Sequence, residues 1–183
     1  IGTASDWTSV DLTFRTCGLR GSGQLWCWGY GVGDGTTELR LSPVRIGSAA
    51  EWGTISDGRF HNFGLRMQNR YCWSSNDYGQ VGDGTSTTRL APVRVGTDSD
   101  WRSISAGGTE QVAGSGGGNE YLTAHTCGIR ESGALWCWGM NQRGEVGDGT
   151  TTTRLAPVRI GTGSDWEQVS AGGDYTEALR ARP

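Results

Sequence analysis

Lysine is absent from this chain of 183 residues; all 16 of its basic residues are arginines, set against 19 acidic ones for a net charge of −3. With that balance there is no broad positive surface to draw in nucleic acid or an anionic membrane. No apolar run approaches the roughly 18 residues a membrane-spanning helix needs. Long Ala/Leu/Glu/Lys stretches with helical periodicity are also missing. No signal peptide is visible, and the chain opens without Met in the middle of a pattern, as a mature or truncated product would. What is abundant is glycine, 32 residues, together with nine tryptophans. Gly-rich sequence interleaved with Trp, Val, Thr and Tyr predicts short strands and many tight turns, and the length suits one domain with a real core.

Internal repetition dominates the organisation. "GDGTTELRLSPVRIG" (33–47), "GDGTSTTRLAPVRVG" (82–96) and "GDGTTTTRLAPVRIG" (147–161) align, and each leads into an acidic residue followed by Trp52, Trp101 or Trp166. Asp6-Trp7 is a fourth such pair. After each Trp comes an alternating segment, then "SAGG" or its variant "SDGR" (56–59), then a hairpin rich in Cys and Trp. Successive repeat prolines, Pro43, Pro92 and Pro157, lie 49 and 65 residues apart; the second interval is lengthened by an insertion at 109–123. Without it the period is about 50 residues, which suits one four-stranded β-propeller blade. The expected fold is all-β: one repeat domain over 1–183, with units near 6–51, 52–100 and 101–165 and a partial unit at 166–183.

The string "SAGG…HTCGIRESGALWCWGMNQRGEVGDGTTTTRLAPVRI" resembles the regulator-of-chromosome-condensation repeat family. The Gly pair before the His, the "LWCWG" strand end, the "VGDGT" turn and the "PVRI" strand carry the likeness over nearly the whole chain outside the insertion. The resemblance implies propeller blades, usually seven to a ring, and so part of a longer propeller, or a ring or fibre closed by association of copies. It also brings guanine-nucleotide exchange and β-lactamase inhibition into view as minor analogies, since fold alone does not carry function.

In "TCGIRESGALWCWG" (126–139), Cys127 and Cys137 are centred on Ser132, so Glu131-Ser132-Gly133 forms a three-residue hairpin loop with Gly133 at the left-handed position. Cys17 and Cys27 are centred in the same way on Ser22 in the first copy. That register sets each Cys opposite its partner; such non-hydrogen-bonded pairs lie about 4.5 Å apart at Cα, within disulfide range. The middle copy has a shorter turn, with Phe63 opposite Cys72, which leaves Cys72 free. Cross-strand disulfides Cys17–Cys27 and Cys127–Cys137 are the favoured reading. A zinc site, for which the spacing is poor, and a reactive thiol at Cys72 are the alternatives. Disulfides point to a secreted or cell-surface location, as expected for bacterial family members with paired cysteines.

The repeated aspartates Asp34, Asp83 and Asp148 read as turn residues, because "GDGT" lacks the Lys of a phosphate loop and the spaced acids of a calcium loop. The repeated arginines are expected to pair with acids of neighbouring units. Repeat-locked tryptophans are expected to pack between blades. Trp26 and Trp136 alternate with the cysteines and should face away from them. No catalytic set, metal site or cofactor is expected. The insertion, with "GSGGG" for flexibility and "NEYL" as an anchor, is the place to expect partner contacts: Glu110, Asn119, Glu120 and Tyr121, with Trp26 and Trp136 as further candidates. The expected function is a non-enzymatic extracellular protein-binding or scaffold module that binds a protein partner or its own copies. A fibre or cell-surface subunit is the alternative, and a glycan-binding or polysaccharide-acting protein a minor one.

Overall fold

The computed structural model describes residues 5–13, 15–111 and 121–181. The first blade is an antiparallel sheet of β1 (Trp7–Leu12), β2 (Thr16–Arg20), β3 (Gln24–Gly29) and β4 (Arg40–Arg45), in that order. The second repeats it with β5 (Trp52–Asp57), β6 (His61–Arg66), β7 (Asn69–Ser74) and β8 (Arg89–Arg94). In the third, β9 (Trp101–Ala106) is separated from its partner strand by a two-stranded ribbon, β10 (Thr109–Gln111) and β11 (Tyr121–Thr123), formed by the ends of the insertion. The sheet then continues through β12 (His125–Arg130), β13 (Leu135–Gly139) and β14 (Arg154–Arg159). A two-stranded sheet, β15 (Trp166–Ala171) and β16 (Thr176–Arg180), follows. The described residues contain no helix, so none could cross a membrane.

The hairpins explain the cysteine spacing. Gly133 N–H donates to Arg130 O at 2.8 Å and Gly23 N–H to Arg20 O at 3.1 Å, which closes loops of three residues. Cys17 faces Cys27 and Cys127 faces Cys137, each with Cα atoms 4.1 Å apart and sulfurs at bonding distance. The middle blade turns in two residues, Met67 (φ 50°) and Gln68 (φ 60°), and sets Phe63 against a free, buried Cys72.

The core lies between blades. The cysteine-bearing face of the first blade, with Leu19, Leu25, Val32 and Ile46, packs under Trp52 and Trp73 of the second. Phe63, Leu65, Cys72, Val81 and Val95 pack under Trp101 and Trp138 of the third. Cys127, Ile129, Leu135, Cys137 and Val146 meet Trp166 and Val169. Within a blade the two tryptophans meet edge to face, as in Trp101–Trp138 at 5.8 Å and 65°. This fixes the Cys-Gly motif: a Cβ on Gly128 would lie 2.8 Å from the Trp101 ring. Burying such large rings against a neighbouring sheet is the main apolar gain of stacking units.

Candidate functional site

The recurring polar side chains are consumed inside the repeat architecture. Asp148 Oδ1 accepts from the Thr150 amide (3.0 Å) and hydroxyl (2.7 Å), an Asx turn, while Oδ2 takes Arg154 Nε at 2.6 Å. Asp34–Arg40 and Asp83–Arg89 repeat this arrangement. Burial works against the charged form of Asp148, but the Thr150 and Arg154 hydrogen bonds outweigh it and take its pKa down to about 2. These arginines therefore pair within their own unit, not with acids of neighbouring units as expected. The cause is chain geometry: the strand after the GDGT turn returns the arginine six residues later over that turn. Arg45, Arg94 and Arg159 likewise cap carbonyls three residues on, those of Ser48, Thr97 and Thr162.

Other polar repeats join one blade to the next. His61 Nε2 bonds Thr126 Oγ1 at 2.8 Å, and His125 Nε2 bonds Thr176 Oγ1 at 2.9 Å. Burial depresses both imidazoles, His61 to about 3 and His125 to about 4, so they act as neutral hydrogen-bonding groups. Along the innermost strands Ser56 Oγ accepts from Ala106 N–H (3.1 Å) and Ser105 Oγ from Ala171 N–H (3.0 Å). Gln80 O receives both Trp138 Nε1 (2.8 Å) and Thr126 Oγ1 (3.0 Å).

The first junction departs from this scheme at several places at once. Eight residues separate Trp73 from Gly82 and Trp138 from Gly147, but only four separate Trp28 from Gly33. Gly31 stands two residues before Gly33 as Gln80 does before Gly82, but in the shortened loop its carbonyl does not meet Trp73 Nε1, which has no acceptor although the ring is fully buried. Ser74, standing where the other blades have Gly29 and Gly139, adopts φ 81° and donates to Gly31 O at 2.6 Å. Arg15 replaces the repeat histidine, Asp11 the repeat serine, and Asp57 and Arg59 interrupt "SAGG". Asp11 Oδ2 accepts from Asp57 N–H at 2.9 Å, keeping the inner-strand link. Burial, with help from the nearby Asp11 charge, pushes Asp57 up to about 7, against the pull of Arg15 and the Cys17 amide. Where loop residues are missing, a cleft of about 360 Å³ opens, lined by Arg15, Tyr30, Thr36, Thr37, Arg59, Phe60, Ser74, Ser75, Asp77 and Leu90.

The Regulator of chromosome condensation (RCC1) repeat matches at residues 71–113 and 132–179. The chain belongs to the RCC1 repeat family. The crystal structure of Prp20p from Saccharomyces cerevisiae, a protein studied for its binding to Gsp1p and histones, superimposes with a TM-score of 0.77 at 17% identity, covering 97% of this chain and 44% of that one. Yeast RCC1 (Prp20) bound to Kap60 gives 0.76 at 18% identity, over 98% of this chain and 43% of that one. Human WBSCR16 gives 0.55 at 16% identity, over 100% and 60%. These likenesses show an RCC1-type propeller fold, and the chain spans under half the length of the Prp20 structures. No curated protein matches the sequence.

Against this RCC1 frame the residues expected from sequence are scattered. Trp26 and Trp136 are half-buried on the outer hairpins, covered by Arg20 at 4.9 Å and Arg130 at 4.6 Å from the ring centres. Asn119 and Glu120 lie outside the described residues; Glu110 and Tyr121 are placed by their backbones in the ribbon, opposite Leu122 and Gln111. Thr123 anchors that ribbon by donating to Gly173 O at 2.7 Å. The cleft brings together none of these. It was announced in the sequence by the shortened Trp28–Gly33 interval and by Arg15 and "SDGR", departures that become meaningful only once the blades are stacked.

Proposed function

We propose that this chain is a non-catalytic, extracytoplasmic protein-binding module, a rigid stack of RCC1 blades that presents loop-borne contacts to a protein partner. One observation carries the reading: the recurring polar groups bond one another within and between blades, while Arg15, Arg59 and Ser74, which break the repeat, line one open cleft. Loops on a rigid scaffold are the usual place for recognition. The proteins named with Prp20, Gsp1p, histones and Kap60, make a protein the favoured class of partner here. The two cysteine pairs at bonding distance support a location where disulfides persist. The insertion at 109–123, with Glu110, Asn119, Glu120 and Tyr121, serves as a second contact element.

The test is reconstitution. A secreted or surface protein captured by this chain should form a saturable complex from purified components, weakened by deletion of 109–123. Turnover of a glycan without any protein complex would overturn the reading. For location, thiol counting under denaturing, non-reducing conditions on material from the native source should find one free thiol, Cys72; five would remove the extracytoplasmic part.

A further inference from the structure

We infer that the cleft between the first and second blades is a receptor pocket for a carboxylate side chain of a protein partner, seated beside an apolar residue of the same segment. The inference rests on the protein-binding reading and names the chemistry of its site. Arg15 lines the cleft and is only 6% exposed. It gives one N–H to Ser74 Oγ at 3.1 Å and one to the Arg59 carbonyl at 3.2 Å, both neutral acceptors. A guanidinium carries five donors, and Arg15 Nε has no partner. The acid that acts on Arg15 is Asp57, and burial together with Asp11 raises it to about 7, so that it is only about half ionised at neutral pH; neither of its carboxyl oxygens hydrogen-bonds a side chain. A buried cation with spare donors and a weak counter-charge favours an anionic acceptor that can approach it.

The walls choose among anions. Tyr30, 53% exposed, joins Phe60 and Leu90, and the Arg59 guanidinium lies 5.7 Å from the Phe60 ring centre. The third arginine of the cleft, Arg89, is held by Asp83 at 2.9 Å, and the Asp77 carboxylate also lines it, a lining that suits one carboxylate better than a multiply charged phosphate. An arginine floor beneath aromatic and aliphatic walls matches an acidic side chain next to an apolar one, the composition of an interface hot spot.

The probe is the peptide acetyl-Phe-Glu-Phe-amide, titrated against the purified protein by calorimetry and by NMR of the arginine Nε–H signals. Binding should shift the Arg15 Nε–H. The Gln analogue, and the Arg15→Met variant, should each bind about tenfold or more weakly, and Tyr30→Ala about threefold. Thermal melts verify the fold of Arg15→Met; if that variant unfolds, the Gln analogue and the exposed Tyr30→Ala decide. Equal binding of the Glu and Gln peptides, absence of peptide binding, or free glucuronate or inorganic phosphate binding as tightly as the peptide, overturns the pocket. A reconstituted partner complex indifferent to both variants also overturns it and leaves the binding module standing. Failure of any protein to bind, with the peptide still seated, overturns the module instead.

Discussion

Where the second blade meets the third, Gln80 O accepts from Trp138 Nε1 and Thr126 Oγ1, and a neutral histidine links the sheets. Where the first meets the second, the loop that would supply that carbonyl is four residues shorter, Trp73 Nε1 is unpaired, and an arginine lies beside an open cleft. Both junctions have the same apolar stacking of two tryptophans on the preceding sheet. The contrast separates what the repeat needs to hold together from what it can spare. Ring packing is kept at both junctions, whereas the acceptor for the second tryptophan is kept at one and lost at the other, where Asp11, Arg15 and Ser74 make different links. An unpaired buried indole N–H costs about 1–3 kcal/mol, a loss the fold bears at the first junction.

The largest expected effect probes the shared packing. A Cβ on Gly82 would fall 2.5 Å from Trp138 Nε1, at φ 76°, whereas one on Gly84, at φ 81°, meets nothing. Gly82→Ala should cost about 3 kcal/mol or more in urea unfolding, combining backbone strain with displacement of the indole, and Gly84→Ala only about 1 kcal/mol. Equal losses would mean that the tryptophan seat is not close-packed.

Next come the sulfurs, which distinguish the outer blades from the middle one. Replacing Cys17 and Cys27 together with alanine should cost about 2–3 kcal/mol, the scale for a crosslink closing a short loop, and Cys127 with Cys137 the same. Cys72→Ala removes only a small buried group whose thiol donates to Val81 O at 3.3 Å, and should cost about 1–2 kcal/mol. A loss at Cys72 as large as at the bonded pairs would argue against crosslinks in the outer blades.

The first junction should also carry a pH signature opposite in sign to that of the second, where His61, held near 3, costs stability as pH falls below about 6.5. Asp57 is raised in the fold to about 7, from a value near 4 when unfolded, so the native state binds its proton more tightly. Its stabilising share is complete below about pH 4 and is lost as pH rises toward about 7, by at most about 1.4 kcal/mol per unit. Asp57→Asn has no such proton to lose. The variant should gain on the wild type between about pH 4 and pH 7 and hold a constant difference above, read from denaturant midpoints across that range. Parallel pH curves for the two proteins would show that Asp57 ionises normally.

How much of this was legible without coordinates depends on whether a contact is local or crosses between units. The hairpin register follows from counting inward from Cys17 and Cys27, or Cys127 and Cys137, to a glycine loop, and the same count set Phe63 opposite Cys72. Repeated Trp positions marked inter-blade packing because only stacking can bury one ring per unit. The Arg154–Asp148 pair was misassigned to different units, because a six-residue separation across an Asx turn and a strand has no periodic signature. The cleft stayed hidden for a related reason. Arg15, Ser74 and the short Trp28–Gly33 interval lie far apart along the chain, and their meaning depends on a carbonyl that a neighbouring blade expects and does not find.

That dependence suggests the smallest expected effect, which would turn the first junction into the second. Replacing Tyr30–Val32 with the stretch found at 75–81, together with Arg15→His, restores the missing four residues. The grafted asparagine would meet Asp34 and the carbonyls of Thr36 and Glu38, as Asn76 meets Asp83 and the carbonyls of Thr85 and Thr87. The grafted glutamine carbonyl would then lie where Trp73 Nε1 needs an acceptor. One recovered buried hydrogen bond is worth about 1 kcal/mol, so the graft should raise the denaturant midpoint slightly and slow exchange of the Trp73 indole proton. It should also close the cleft and abolish binding of the acidic peptide. A graft that stabilises the protein but leaves peptide binding intact would move the pocket elsewhere. One that closes the cleft without protecting the indole would show that the junction lost more than a carbonyl.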